Sequence, residues 1–280
     1  METSVRHAGG LSINTDIVRG LLAGFLRDGI RNAGFSHAVI GLSGGVDSAV
    51  SAALSVDALG ADNVLGVLLP YRTSSQDSRE HAAVLAASLS IRTEVVDITP
   101  MVDAYLERFS IHDQIRRGNV MARQRMVVLY DISARERALV IGTSNKTEIF
   151  LGYGTLFGDL ASALNPLGDL YKTQVWQLAH ALGIPGEIIG KKPSADLREG
   201  QTDEEDFGFT YEQVDKLLYA MVDQRRTDDE LRLSGFSADF INRVKTLLRQ
   251  NQFKRRPPVI AKISHRTVNV DFRYARDWGI

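Results

Sequence analysis

Two hydrophobic rhythms alternate along the first half of the chain. Asn14–Asn32 carries Ile17, Val18, Leu21, Leu22, Phe25, Leu26 and Ile30 at helical spacing, which predicts an amphipathic helix. Short apolar runs rich in β-branched residues predict strands at about 38–42, 63–69, 92–96 and 138–142. Longer segments with helical periodicity separate them, at about 48–59, 76–90 and 113–136. Strand alternating with helix implies an α/β fold, a doubly wound parallel sheet with right-handed crossovers. In such sheets ligands sit beyond the C-terminal strand ends, near the point where strand order reverses. The turn at Ser43, Leu69-Pro70-Tyr71-Arg72 and Gly142-Thr143-Ser144-Asn145 each follow a strand, and all three are expected to face one cleft.

After residue 150 the pattern changes. Gly152, Gly154 and Gly158 are too many for a helix interior. Thr173–Leu182 reads as a short helix ended by Gly183 and Pro185, with Lys172 at its start. Lys192-Pro193-Ser194 and the acidic run Asp203-Glu204-Glu205-Asp206 read as loop. Tyr211–Asp223 and Ser237–Gln250 are helical, so 205–250 forms a small helical appendage within one domain spanning 1–280.

The first strand feeds Ser43-Gly44-Gly45-Val46-Asp47-Ser48. A glycine turn between a strand and a helix N-terminus is an anion site, because unpaired N–H groups and the positive dipole end converge there. Ser43 and Ser48 add hydroxyl donors. Asp47 would repel a phosphate unless a cation bridged them, which suggests Mg²⁺. No lysine follows Gly45, so the Walker pattern is absent. Gly41-Leu42-Ser43-Gly44-Gly45 also fits the G-x-S-x-G elbow of serine hydrolases, with Ser43 as nucleophile. Against that stand its position after the first strand and the lack of a His-Gly-Gly oxyanion motif.

Composition narrows the field. Of 280 residues, 44% are hydrophobic and 24% charged, an ordinary globular balance. No cysteine is present, which excludes disulfides, thiolate metal sites and thiol catalysis, and points to a cytoplasmic setting. A net charge of −1 does not favour nucleic acid. No apolar stretch approaches the roughly 20 residues of a membrane helix, and the first residues do not read as a signal peptide.

The hexapeptide Ser43–Ser48 resembles the S-G-G-x-D-S pyrophosphate loop of the ATP pyrophosphatase group, whose members cleave ATP between α- and β-phosphates and adenylate an oxygen. Later segments resemble NAD synthetases in the family's order: Asn119-Val120-Met121-Ala122-Arg123-Gln124-Arg125-Met126, Gly142–Glu148, Gly158-Asp159, Tyr171-Lys172-Thr173, Lys192–Leu197 and Gln201–Glu204. The resemblance spans roughly 15–260. It implies a Rossmann-like fold of the adenine nucleotide α-hydrolase type. It also implies a ligase that joins ATP, deamido-NAD and ammonia into NAD, AMP and pyrophosphate through an adenylated carboxylate.

By the same resemblance, Ser43, Gly44, Gly45, Val46, Asp47 and Ser48 hold pyrophosphate. Thr143, Lys172 and Ser194 contact ATP, and Asp47 and Glu148 ligate Mg²⁺. Asn119, Arg123 and Lys254 reach deamido-NAD. Asp159 orients or deprotonates ammonium. Asp47, Asp159 and Lys172 carry the catalysis. Each has a plain alternative: Glu148 as a solvated helix residue, Asp159 as a turn cap, and Arg123 and Lys254-Arg255-Arg256 as surface charge. The family builds its site across two subunits, which implies a homodimer formed through Asn14–Asn32 and the helix around Asn119–Ser133. Short ammonia-using members carry lysine, aspartate and histidine where this chain has Leu156, Ala163 and Phe253. Residues 152–159 look closer to the synthetase part of glutamine-dependent enzymes, so a separate glutaminase subunit enters as a partner. A GMP synthetase subunit and a nucleotide-binding sensor are the rival functions.

Overall fold

The computed structural model describes residues 10–194, 202–256 and 258–268. Four parallel strands form its centre: β1 (His37–Gly41), β2 (Val64–Leu68), β3 (Arg92–Val95) and β4 (Ala138–Ile141), in the order β3-β2-β1-β4. Val39 of β1 pairs with Leu65 of β2 on one side and Val140 of β4 on the other. The chain moves outward from β1 to β3, then returns to place β4 beside β1. Strand order therefore reverses between β1 and β4, and the loops that leave these two strands flank the ligand position of a doubly wound sheet.

Helices cover both faces. Alternate residues of β1 separate the cores: Ala38 and Ile40 join one, Val39 the other. The first core is closed by α1 (Thr15–Arg31), α2 (Val46–Leu59), α3 (Gln76–Leu89) and, further along, α7 (Lys172–Ala181) and α8 (Gly186–Ile189). The second is closed by α4 (Thr99–Arg108) and α5 (Gln114–Glu136). α2 is buried nearly all round, which its run of alanine, serine and valine allows. A short helix, α6 (Lys146–Leu151), follows β4.

The C-terminal third is helical: α9 (Asp203–Phe207), α10 (Tyr211–Leu218), a π turn (Tyr219–Asp223), α11 (Asp228–Leu233) and α12 (Ala238–Gln250). Its apolar residues form a third core with Leu151 of α6 and Tyr171 at the start of α7. This appendage is thus packed onto the two helices that follow the switch point.

One expectation needs correction. The acidic run 203–206 is not loop but the first turn of α9; four carboxylates at a helix N-terminus complement its dipole, and Gly208 ends the helix in the left-handed region. The helix expected over 211–223 is present, α through Leu218 and π-wound from Tyr219 to Asp223. α4 went unpredicted, although Pro100 stands in its first turn, where a missing N–H costs nothing. Ala195, Asp196, Leu197 and Gln201 of the family-like segments lie outside the described residues.

Candidate active site

The turn after β1 is held by its own hydroxyls. Ser48 Oγ donates to Gly45 O at 2.9 Å and lies 3.0 Å from Ser43 Oγ, while Gly45 N–H donates to Ser43 Oγ at 3.3 Å. Gly44 sits at φ +73°, and a Cβ there would lie 2.2 Å from the carbonyl oxygen of Ser78. Only glycine takes that conformation against that neighbour. Ser43 stays exposed at the mouth of a cleft of about 460 Å³.

The cleft runs along the C-terminal ends of β1, β2 and β4. Leu42, Leu68, Leu69, Met126 and Leu129 give it an apolar lining. The remainder is lined by Thr143 and by both signs of charge: Lys172, Arg79, Arg125, Lys191, Lys192 and Lys254 against Asp47, Glu148, Asp159 and Asp203. Of the three expected loops, the Ser43 turn, Leu69-Pro70 and Gly142-Thr143 reach the cleft. Tyr71 is buried away from it and donates to Asp103, which also pairs with Arg72.

Asp47 opens α2, and a hundred residues later Glu148 stands in the first turn of α6. Lys172, the first residue of α7, brings them together. Its Nζ pairs with Asp47 and lies 3.7 Å from Glu148 Oε1. The lysine is 2% exposed. Burial works against its charge, but Asp47 and then Glu148 outweigh that and raise its pKa above the ordinary value. Burial also pushes the Glu148 carboxyl well up; Asp47 adds to the rise and Lys172 opposes it. Asp203, 3% exposed, accepts from Tyr211 at 2.8 Å through Oδ2. Burial raises its pKa too, opposed by Lys172.

These acids outnumber the cation between them, and their donors are all hard oxygens. Among the described residues no three metal-binding side chains converge. Mg²⁺ does not ask for that: it takes one or two carboxylates and completes its shell with water and substrate phosphates. Asp47 and Glu148 fit such an ion.

On the opposite wall, Thr155 N–H donates to Asp159 Oδ1 at 2.8 Å, and Thr155 Oγ1 donates to Asn119 Oδ1 at 2.9 Å. Asp159 is open to the cleft on one side. Crowding by protein atoms on the others raises its carboxyl, against its hydrogen bonds and the charge of Lys254. Arg123 donates from Nε to Leu156 O at 3.2 Å. Asn119 and Arg123 therefore brace the 155–159 turn and do not line the cleft within one chain. Lys254 does line it, donating to Gly152 O at 2.7 Å and Gly154 O at 2.9 Å. Burial lowers its pKa, with Asp159 pulling the other way. Arg255 donates to Phe150 O at 2.7 Å, capping the end of α6. Ser194 lines the rim.

Two residues without a sequence-based role emerge. Asn145 caps α6 by accepting from Glu148 N–H at 3.0 Å, and its Nδ2 donates to Asp47 Oδ1 at 2.9 Å. The Asn-x-x-Glu spacing of a capping box was its signal. Arg125 enters the cleft and donates to Leu69 O at 3.1 Å. Among the described residues lining the cleft there is no histidine, and the Ser43 hydroxyl is turned to Ser48 and Gly45, so the serine-hydrolase reading finds no base.

A switch-point anion turn, with a buried lysine and two acids beside it, marks a nucleotide-phosphate site on an α/β sheet. Residues 19–258 match the family model described as NAD synthase. The chain is 56% identical over 269 residues to an NH(3)-dependent NAD(+) synthetase from Trichlorobacter lovleyi, covering 96% of this chain and 98% of that one. Among solved structures it resembles NMN synthetase from Francisella tularensis (TM-score 0.80, 32% identity, 89% of this chain and 99% of that chain). It also resembles NH3-dependent NAD synthetase from Campylobacter jejuni (TM-score 0.77, 34% identity, 89% and 100%). This chain belongs to the NAD synthase family, ligases that form a carbon–nitrogen bond.

Proposed function

We propose that this chain makes NAD from deamido-NAD, ammonia and ATP, releasing AMP and pyrophosphate. The observation that carries the reading is the convergence of Asp47, Glu148 and Lys172 at the mouth of the Ser43–Ser48 turn, with Asp159 across the same cleft. The base of ATP lies against Leu42, Met126 and Leu129, and its triphosphate runs onto the turn, where Gly44, Gly45, Val46 and Ser48 supply N–H and hydroxyl donors. Thr143 and Ser194 flank it. The nicotinate carboxylate attacks the α-phosphorus, the bond to the β-phosphate breaks, and Lys172 stabilises the charge that develops. Asp47 and Glu148 would hold a Mg²⁺ ion, which would supply neutralisation of phosphate charge. Asp159 then accepts a proton from ammonium, and the freed ammonia displaces AMP. Lys254, Asn119 and Arg123 belong to the deamido-NAD side, the last two by bracing the wall.

The working unit is one synthetase domain over 1–280, with 205–250 as its appendage; the core they share through Leu151 and Tyr171 supports this. We also propose a homodimer. Ile17, Leu21 and Phe25 on α1 and Val127 and Tyr130 on α5 stay at least 40% exposed, an apolar surface on the expected interface helices. A monomer by light scattering with full activity would exclude it. We also propose a cytoplasmic setting, with which a composition without cysteine agrees.

The deciding experiment incubates the purified chain with ATP, Mg²⁺, ammonium and deamido-NAD. NAD, AMP and pyrophosphate should form in equal amounts. Nicotinate mononucleotide and xanthosine monophosphate serve as competing acceptors, and glutamine as competing nitrogen source. Glutamine should support turnover only when a separate glutaminase is added, since its amide needs an activated nucleophile that this chain lacks. Preference for either competing acceptor would overturn the assignment.

A further inference from the structure

Helix α7 begins with a cation at the end where the dipole and the free N–H groups disfavour one. Its N-cap, Tyr171, accepts no capping bond through its side chain. The first N–H groups are met from two other elements. Lys172 N–H donates to Thr147 Oγ1 at 3.1 Å, and Thr173 N–H donates to Asp215 Oδ2 at 2.8 Å. Thr147 completes the link, donating its hydroxyl proton to Asp215 Oδ1 at 2.6 Å. Asp215 belongs to α10 of the appendage and has no exposed surface.

Thr147 directly precedes Glu148, and Thr173 directly follows Lys172. One carboxylate therefore ties the first turn of α6 to the first turn of α7, the two turns that present Glu148 and Lys172 to Asp47. Eight residues on, Asp223 grips the same pair of turns, accepting from Tyr171 Oη and from Lys146 Nζ, the latter at 3.1 Å. The π turn that carries Asp223 is the sort of helix irregularity that favours functional positions. An apolar side chain would fill the Asp215 position without the cost of burying a carboxylate. Asp215 meets both donors at once, one oxygen for the amide and one for the hydroxyl. Burial raises the Asp215 carboxyl, and the bonds from Thr147 and Thr173 oppose that.

We propose that Asp215 is a positioning residue for the ligase reaction, registering Glu148 and Lys172 against Asp47 through Thr147 and the Thr173 amide. The inference rests on the roles given to Lys172 and Glu148 under the proposed function. It makes the appendage part of the catalytic apparatus without touching substrate.

The test uses the full chain, with kcat and KM for ATP and deamido-NAD measured beside thermal unfolding. Thr147→Val removes the bridging hydroxyl at nearly constant shape, and Thr147→Ser keeps it. Misplacing reacting groups by an ångström costs on the order of 100-fold, so Thr147→Val should lower kcat about 10- to 100-fold, with KM for ATP within about twofold of wild type. Thr147→Ser should restore most of the rate. Asp215→Ala should show at least the same loss; should it not fold, the threonine pair decides. A wild-type kcat in Thr147→Val would overturn the inference. So would a loss shared equally by Thr147→Ser, a loss that only tracks the folded fraction, or a change confined to KM. Failure of the functional reading is separate and visible: the wild-type chain itself would then make no NAD from deamido-NAD and ammonium.

Discussion

Replacing Lys172 with methionine removes one charge while keeping most of the side chain's bulk, and leaves Asp47 and Glu148 facing each other across the site. At the 3.7 Å that separates Lys172 from Glu148, attraction between unit charges is about 4 kcal/mol at an effective dielectric near 20. Removing one partner of a buried pair costs about 3–5 kcal/mol, because the remaining charge is stranded. At roughly 2 °C per kcal/mol for a chain of this size, Tm at pH 8 should fall by about 6–10 °C. The pH dependence has a defined sign. The Lys172 pKa is raised, so its stabilising contribution is present throughout the working range and lost only in strong alkali. The Glu148 carboxyl is also raised, and without the lysine it rises further. Protonation of Glu148 then relieves the variant as pH falls, so the deficit should be greatest at pH 8 and shrink toward pH 5. Differential scanning calorimetry at both values measures it. A Lys172→Met chain within about 2 °C of wild type at pH 8 would refute the buried-pair argument. The same variant should lose about 100- to 1000-fold in kcat, as for loss of a group that stabilises transition-state charge.

Three further outcomes are expected. Asp47→Asn keeps the bond with Asn145 in reach but halves the acid pair, and steady-state assays across a Mg²⁺ titration should show kcat lower by orders of magnitude; near-normal turnover would sink its role. Gly44→Ala puts a methyl group 2.2 Å from the Ser78 carbonyl at φ +73°, and should cost about 1–3 kcal/mol in urea unfolding along with weaker ATP binding by calorimetry; unchanged values for both would contradict the turn geometry. Asp159→Asn should lower kcat with ammonium far more than it changes ATP binding, and the wild-type rate should climb toward alkaline pH as free ammonia grows; a variant with a wild-type rate would leave the proton acceptor elsewhere.

Much of the molecule is legible in order along the chain. The alternation of short β-branched runs with longer amphipathic segments specifies a parallel α/β sheet, because burying strands on both faces requires helices between them. Gly44 and Gly45 between a strand and an alanine-rich helix already announce an anion turn, since local sterics and free N–H groups need no distant partner. Lys172 at a helix start announces a ligand, since local electrostatics disfavours it there. What the chain alone could not state is who meets whom. That β4 returns beside β1, and so places Glu148 opposite Asp47, is a property of strand order. That Lys172 pairs with both acids, that Asn145 reaches across to Asp47, and that Asn119 and Arg123 brace a turn from behind depend on contacts between residues 24 to 125 positions apart. The acidic run 203–206 looks like loop by composition and becomes helix because its dipole accepts that charge and Phe207 finds the appendage core. Periodicity and turn chemistry act over a few residues and can be read from them; the pairing of buried charges is decided by desolvation and distance, which exist only once the sheet has closed.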